Sequence, residues 1–319
     1  MHGFDWNDGG INNQKYAVLG LFVAAADGVT QDERTLYLPR MFSRDQHQKN
    51  DSQHAFSEVF WLDPINELAA RWDIDIVEAP DGIEYADRIE RGGWRYFYRG
   101  IAAVETLERD DAAGSLPADF FRTLRPKVTS SKTFQKLAKR IFGDNAINVA
   151  TQLRIEEDWA HHSEYHVKPS ALPNEEFYAP AERIIAKVKN TLAETPGAIF
   201  VSCDEKYIFA PKWEIAKKVK AATGIDIVFK SDILSPEDFD KLRPIDASLI
   251  DFELAKLAKV FVGLSRSTFA NLAAFERFAG AYGDRHLDYV YNLPGDLCGL
   301  RTDRGIHHDP QKASAQELS

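Results

Sequence analysis

Residues 261–271 read FVGLSRSTFAN, and they are the clearest indication of the fold class. An unbroken apolar run ends at Gly263, and hydroxyl residues follow where the next helix is predicted to begin. A strand that is apolar along its whole length is buried on both faces, which is typical of parallel sheets covered by helices. The stretch therefore predicts a buried strand, a tight turn and a helix, the repeating unit of a doubly wound α/β domain.

The same alternation extends outward through the second half of the chain. Predicted strands occupy residues 146–153, 198–201 and 225–229, and predicted helices occupy residues 181–192, 211–223, 246–258 and a segment from about 267. Pro211 and Gly224 stand at the two ends of one of these helices, where proline and glycine are favoured. This pattern predicts a Rossmann-like domain.

The first half is less regular. A helix is predicted from Tyr16 to Ala26, a polar surface loop over residues 43–54, and a basic helix from Lys132 to about Gly143. The predicted strands are residues 34–39, 59–62 and 74–77, and the aromatic run 94–98 is interpreted as a strand or a recognition surface. We predict an α/β protein with two Rossmann-like domains, residues 1–143 and 144–319, that face each other across a cleft.

Composition narrows the class of protein. The chain has 319 residues, which suits two α/β domains, and its 39 basic against 49 acidic residues give a net charge of −10. That charge argues against nucleic acid or an anionic membrane surface as a partner. Cys203 and Cys298 are the two cysteines, and the chain shows no signal peptide and no bilayer-spanning apolar run. We therefore expect a cytoplasmic protein without a membrane-spanning segment.

The turn after Gly263 has the composition of a phosphate site. Free backbone N–H groups, the hydroxyls of Ser267 and Thr268 and the positive end of a helix dipole converge there, and Arg266 adds a charge. The alternative is that Ser267 or Thr268 only caps the helix.

Two further segments carry polar groups at strand-to-helix corners. Residues 152–159 read QLRIEEDW, and Arg154 follows a strand end, where a guanidinium can grip a pyrophosphate with two hydrogen bonds. The alternative there is a surface salt bridge with a neighbouring carboxylate. Residues 8–15 read DGGINNQK, in which Gly9 and Gly10 allow a close backbone approach and Asn12 and Asn13 offer amide donors. The alternative for this segment is a tight turn with an asparagine N-cap.

At these three segments the chain resembles the GDP-fucose protein O-fucosyltransferase-like superfamily, the GT-B-fold fucosyltransferases. Residues 9–14 match its GGxxNQ loop, residues 152–158 are similar to its HLRxExD-like motif, and residues 261–269 are similar to its FxGxxxSSF-like motif. An acidic helix with Asp251 and a strand ending at Asp204 agree in order and spacing. The resemblance covers nearly the whole chain.

The resemblance implies an inverting, metal-independent glycosyltransferase that moves fucose from GDP-fucose to a hydroxyl acceptor, a protein or a glycan. The donor would lie on the second domain, and the first domain would bring the Gly-rich loop to the acceptor side. Arg154 would hold the β-phosphate, and Asp251 or Asp204 would lie near the guanosine. Asn13 would approach the sugar and its leaving oxygen. The remaining donor contacts implied are Gly9, Gly10, Asn12, Arg266, Ser267, Thr268 and Phe269.

The chain departs from the family pattern at two places. Gln152 stands where the family usually has histidine, and the Gly-rich loop lacks the acidic residue that some relatives use as a base. Glu156, Glu157 and Asp158 are the candidate bases, because a carboxylate with a raised pKa can accept the acceptor's proton. The open alternatives are a non-catalytic GDP-sugar-binding protein, a transferase for another GDP-sugar, and a Rossmann oxidoreductase. The sequence contains no GxGxxG fingerprint, which argues against the oxidoreductase.

Overall fold

The computed structural model describes residues 2–4, 9–43, 52–78, 93–107, 114–143, 147–164, 175–279 and 287–301. The chain divides into two units, of which the first comprises Met1–Ser131 and Leu242–Leu249. The second comprises Lys132–Lys241 and Ile250–Ser319. Residues 132–143 thus group with the second unit, and the predicted boundary at residues 143 and 144 stays a prediction about independently folding domains.

Within its described residues the first unit contains five complete α-helices and four strands. In chain order these are α1 (Ile11–Ala26), β1 (Thr35–Leu38), β2 (Met41–Ser43), β3 (Ser52–His54), α2 (Phe56–Val59), α3 (Leu62–Arg71), β4 (Asp75–Glu78), α4 (Trp94–Glu105) and α5 (Leu116–Thr123). Strands β1 and β4 pair in parallel, with Thr35 opposite Asp75, and β2 pairs antiparallel with β3. The predicted strands at residues 34–39 and 74–77 are confirmed.

The predicted strand at residues 59–62 was wrong, and of the two interpretations of residues 94–98, a strand or a recognition surface, the strand was wrong as well. Residues 59–62 contain the end of α2 and the start of α3, and residues 94–98 form the first turns of α4. Buried positions in α4 recur at three- and four-residue steps through Val104, a period that the aromatic run alone is too short to reveal. The predicted loop over residues 43–54 is a strand at both ends, and its residues 44–51 lie outside the described ranges.

Helices α1 and α4 pack with their backbones in close approach. A Cβ atom on Gly20 would collide with the carbonyl oxygen of Tyr96, and one on Gly100 would collide with the carbonyl oxygen of Tyr16. Glycine at these two positions therefore sets the separation of the helix axes, and α1 is buried along most of its length.

The second unit is built on one sheet. Its elements in chain order are α6 (Lys132–Ala138), β5 (Val149–Gln152), α7 (Glu157–His162), α8 (Ala181–Thr191), β6 (Ala198–Ser202), α9 (Lys212–Thr223), β7 (Asp226–Val228), α10 (Pro236–Asp240), α11 (Pro244–Leu257), β8 (Val260–Gly263), α12 (Thr268–Ala279), β9 (Leu287–Val290) and β10 (Gly299–Leu300). Residues 244–249 of α11 belong to the first unit.

The six strands lie in the order β10-β9-β8-β5-β6-β7. Strands β5 to β9 are parallel, with Ala150 paired to Phe200 on one side and to Phe261 on the other, and β10 runs antiparallel to β9. The predicted strands and helices of this half are confirmed, including the stop of α9 at Gly224, which has φ of 76°. Apolar side chains from β5, β6 and β8 pack with those of α8 and α9 in one core.

Candidate functional site

The strand order of the second unit contains a topological switch point between β5 and β8. The chain leaves β5 for β6 and β7 on one side, then returns to place β8 and β9 on the other side. In sheets of this kind ligands bind in the crevice at the carboxyl ends of the two central strands. Two of the three predicted segments follow these two strand ends.

A side-chain hydrogen bond joins the two segments. The Nε2 of Gln152, the last residue of β5, donates to the Oγ of Ser267 at 3.0 Å. Ser267 precedes α12, and its carbonyl oxygen accepts the N–H of Asn271 at 2.9 Å, so its backbone begins the helix. The predicted capping position is therefore real, while the hydroxyl itself faces Gln152 and the end of β5.

The turn after β8 requires glycine. A Cβ atom on Gly263 would lie 2.5 Å from the Cβ of Ala270, because α12 folds back closely onto the strand end. Thr268 is the first residue of α12, and Phe269 packs half-buried with its ring centroid 5.3 Å from that of Phe252. The start of a twelve-residue helix thus lies at the switch point, where its N–H groups can receive an anion.

Arg154 is held in place by two neighbours. Its guanidinium carbon lies 4.4 Å from the ring centroid of Trp159, a cation–π contact, and its Nε lies 3.4 Å from Oε2 of Glu156. The Trp159 indole N–H donates to the carbonyl of Phe177 at 2.8 Å, so the ring is fixed. The side chain of Arg154 remains 24% exposed.

Glu156 has both carboxylate oxygens engaged. Oε2 lies 3.4 Å from Nε of Arg154, an ion pair with no hydrogen bond within the described residues, and Oε1 accepts the backbone N–H of Asp204 at 3.1 Å. The predicted salt bridge of Arg154 therefore exists, but Glu156 is only 4% exposed, so the pair is not a surface ion pair. Glu157 begins α7, and for Asp158 the structure describes the backbone in α7 and not the side chain.

The loop after β8 is fixed by a buried carboxylate that the sequence did not reveal. Glu175 accepts hydrogen bonds from the Ser265 hydroxyl at 2.7 Å and from Asn292 Nδ2 at 3.0 Å. Its other oxygen lies 3.9 Å from a guanidinium nitrogen of Arg266. Asn292 also accepts the Ser265 N–H at 2.9 Å, so the loop backbone has one defined conformation. No motif marks Glu175 or Asn292 in the sequence.

A second charged group lies at the ends of β6 and β7. Lys230, which follows β7, lies 2.5 Å from Oδ2 of Asp251 and 3.4 Å from Oε1 of Glu205. Burial raises the pKa of Asp251 to about 7, and the charge of Lys230 opposes that rise. Asp204 is exposed, and its Oδ1 accepts the Lys206 N–H at 3.3 Å. The sequence analysis did not identify Lys230 as a site residue. Lys230 follows an apolar strand, and the same position after a strand is what identified Arg154.

The Gly-rich segment lies in the first unit. Gly9 has no room for a Cβ beside the side chain of Asn13, whereas a Cβ on Gly10 would meet nothing within 4 Å. Gln14 bridges to β2, because its Nε2 donates to the Phe42 carbonyl at 3.0 Å and its Oε1 accepts the Phe42 N–H at 2.7 Å.

Asn12 is buried at the start of α1, and Asp8 lies outside the described residues. The structure therefore brings together the two segments of the second unit. The meeting of the Gly-rich loop with them stays a prediction.

Within the described ranges, no three His, Cys, Asp or Glu side chains are grouped as metal ligands. Among the helices of those ranges, none has the length and apolarity needed to cross a membrane. Cys203 and Cys298 are both free thiols and buried.

Comparison with known proteins gives a result at the level of the fold. No family model and no curated protein sequence matches the chain. Among solved structures, POFUT1 in complex with GDP is 16% identical with a TM-score of 0.53, covering 92% of this chain and 98% of its own. POFUT1 in complex with GDP-fucose is 15% identical with a TM-score of 0.52 and the same coverage. The chain is thus similar over almost its whole length to POFUT1, and the predicted GT-B-like α/β fold is confirmed.

Proposed function

We propose that this chain is a glycosyltransferase that transfers fucose from GDP-fucose to a hydroxyl acceptor. One observation carries the proposal: the segment that holds Arg154 and the segment that begins α12 follow the two neighbouring strands at the β5–β8 switch point, and the Gln152–Ser267 hydrogen bond joins them. A diphosphate is the group that a fixed guanidinium and a helix N-terminus bind together. The fold shared with POFUT1, whose crystal structure contains GDP-fucose, supports this choice of donor.

Different residues of the second unit would contact different parts of the donor. Arg154, Ser267, Thr268 and Arg266 would hold the diphosphate, and Asp251 and Asp204 would lie toward the guanosine. Charge develops on the departing diphosphate as the glycosidic bond breaks, so positive groups aimed at it lower the barrier. Trp159 and Glu156 would keep the Arg154 guanidinium in one orientation.

The reaction would be a single displacement with inversion at the sugar carbon. A base must then take the proton of the acceptor hydroxyl. Because both oxygens of Glu156 are engaged, we assign it to the positioning of Arg154 and leave Glu157 and Asp158 as candidate bases. Asn13 would approach the sugar and its leaving oxygen from the Gly-rich loop.

The first experiment is calorimetric titration of GDP, GDP-fucose, GDP-mannose, UDP and NAD without added metal, with GDP release assayed in parallel. We expect micromolar affinity for the GDP compounds, about −8 kcal/mol, and turnover of GDP-fucose. Binding of UDP or NAD alone would contradict the proposal. Transfer should also proceed unchanged in excess EDTA, and loss of transfer there would refute metal independence.

A second candidate function is GDP-sugar binding without catalysis. Gln152 favours it, since an amide cannot carry the charge of the histidine that the family usually has there, and its Nε2 is used by Ser267. Such a protein would bind GDP-fucose without releasing GDP in the presence of any acceptor. Gln152→His would then leave turnover absent, whereas in a true transferase it should change an existing rate.

A further inference from the structure

A buried ion pair lies at the far end of the same sheet edge. Lys230 is 2% exposed and Asp251 is 5% exposed, and their Nζ and Oδ2 atoms are 2.5 Å apart. The Lys230 ammonium also donates to the Cys203 carbonyl at 3.3 Å and lies 3.4 Å from Glu205. Lys212 lies 3.4 Å from the other oxygen of Glu205. Lys230 therefore links the loops after β6 and β7 to α11.

This pair is connected to the candidate diphosphate site through a chain of contacts. Arg154 pairs with Glu156, Glu156 accepts the N–H of Asp204, and the preceding residue Cys203 accepts from Lys230. Neighbouring strands are about 4.8 Å apart, so the edge from β8 to β7 extends over roughly 14 Å. That distance suits an extended nucleoside diphosphate with its phosphates near β8 and its base near β7.

The two oxygens of Asp251 have different surroundings. Oδ2 is taken by Lys230, while Oδ1 is buried and accepts no hydrogen bond from any residue that the structure describes. A buried acceptor without a donor costs free energy unless a ligand supplies one. Guanine offers N–H donors on its N1 and N2 edge, whereas adenine presents an acceptor at N1, which a carboxylate repels.

We propose that Lys230 is a positioning and specificity residue, which holds Oδ2 of Asp251 and leaves its Oδ1 for the N–H donors of a guanine base. This inference rests on the proposed function, because it assumes a GDP-linked donor at this edge.

Burial and the charge of Lys230 act in opposite directions on the ionisation of Asp251. Burial favours the neutral acid, and the nearby carboxylates of Glu205 and Asp204 favour it as well. Lys230 is the cation that acts against them, and it raises the ionised fraction of Asp251 at any given pH. A neutral Asp251 would carry a proton that can donate to adenine N1, so removing Lys230 should weaken GDP binding and relax the choice of base.

The test is titration of GDP and ADP from pH 6 to pH 9 against wild type, Lys230→Met and Lys230→Arg. In wild type, GDP affinity should rise with pH through about 7, while ADP binding stays weak. In Lys230→Met the midpoint should move up by at least about one pH unit, since a lost opposite charge shifts a carboxyl by 1–3 units. GDP affinity at pH 7.5 should then fall at least about threefold, the loss of ionised carboxylate for a shift of one unit, and recover toward pH 9, and Lys230→Arg should restore the wild-type profile.

Lys256→Met is the matched control. Lys256 is also buried and paired with two carboxylates, Glu253 and Glu276, but it lies near the amino end of β8, at the opposite edge of the sheet. Its loss should leave the pH profile of GDP binding unchanged. An unshifted midpoint in Lys230→Met, or an equal loss at every pH, would overturn the inference.

If Lys230→Met does not fold, Asp251→Asn provides a second test of the inference. Its GDP affinity should be weak, its pH dependence should match that of ADP, whose terminal phosphate ionises in the same way, and its preference for GDP over ADP should be reduced. A profile like that of wild type would also overturn the inference. Wild-type protein that binds no GDP at any pH would instead refute the proposed function, so the two failures are distinguishable.

Discussion

At the scale of single residues, the guanidinium of Arg154 is held in one orientation and its side chain is still partly exposed to solvent. Trp159 and Glu156 hold its guanidinium from two sides, yet about a quarter of the side chain, 24%, faces solvent. An arginine that is already oriented loses less side-chain entropy when it binds an anion. Its fork geometry also gives two parallel hydrogen bonds that a lysine cannot make.

We predict that Arg154→Ala weakens GDP binding by about 1.5–3 kcal/mol, the range for hydrogen bonds to charged groups, and abolishes turnover. Arg154→Lys keeps the charge and should recover part of the binding and little of the turnover. Calorimetry and GDP release measure the two quantities. An alanine variant with wild-type affinity would remove Arg154 from the diphosphate site.

Asn13 tests the Gly-rich loop separately. Since it is proposed to approach the sugar and not the nucleotide, Asn13→Ala should lower kcat while leaving GDP affinity nearly unchanged. Gln14→Ala is the structural comparison, because Gln14 bridges to Phe42 and its loss should lower the melting temperature. Equal losses of GDP affinity and kcat in Asn13→Ala would contradict the assignment.

At the scale of elements, the β8–turn–α12 unit depends on one glycine. Gly263 is the last residue of β8 and lies against Ala270 of α12. If residue 263 were alanine, its Cβ atom would lie 2.5 Å from that of Ala270. The closeness of strand end and helix start is what brings the N–H groups of α12 to the switch point.

We therefore predict that Gly263→Ala destabilises the protein by about 1–3 kcal/mol, the usual cost of overpacking, and weakens GDP binding as α12 shifts. Gly197→Ala is its control, since a Cβ there would meet nothing within 4 Å. Urea denaturation and GDP titration of both variants check the prediction. Equal stability of the two variants would show that α12 relaxes without cost.

At the scale of the whole molecule, stability should depend on pH through Asp251. Its pKa is raised from 3.8 to about 7 in the folded protein, so between these values the folded state binds more protons than the unfolded state. Stability from this group is present at low pH and is lost as pH rises toward 7. Lys230 stays charged throughout this window, because its carboxylate partners raise its pKa.

The comparison of wild type with Asp251→Asn isolates this contribution. From pH 5 to pH 8 the free energy of unfolding of wild type should fall relative to the variant, by an amount on the order of 2–4 kcal/mol. Denaturation followed at several pH values measures the difference. A difference that rises with pH would mean that the pKa of Asp251 is lowered on folding.

Much of the second unit could be predicted from local sequence. Strands β6 and β8 are short apolar runs between clear helices, and Gly224 ends α9 in a left-handed conformation that favours glycine. The first unit was harder, because α4 starts with an aromatic run whose helical period appears only when Gly100, Ile101 and Val104 are included. Local composition at residues 94–98 is equally compatible with a strand.

Local sequence was sufficient to predict the alternation of strands and helices, the glycine at the end of β8 and the charged residue after β5. These are local properties, set by periodicity, backbone freedom and the polarity of a few consecutive residues. The folded chain was needed to show that β8 lies beside β5, that Gln152 donates a hydrogen bond to Ser267, and that Lys230 pairs with Asp251. Those contacts join residues far apart in the chain, and the packing of the whole sheet selects them, since each strand end alone is compatible with several neighbours.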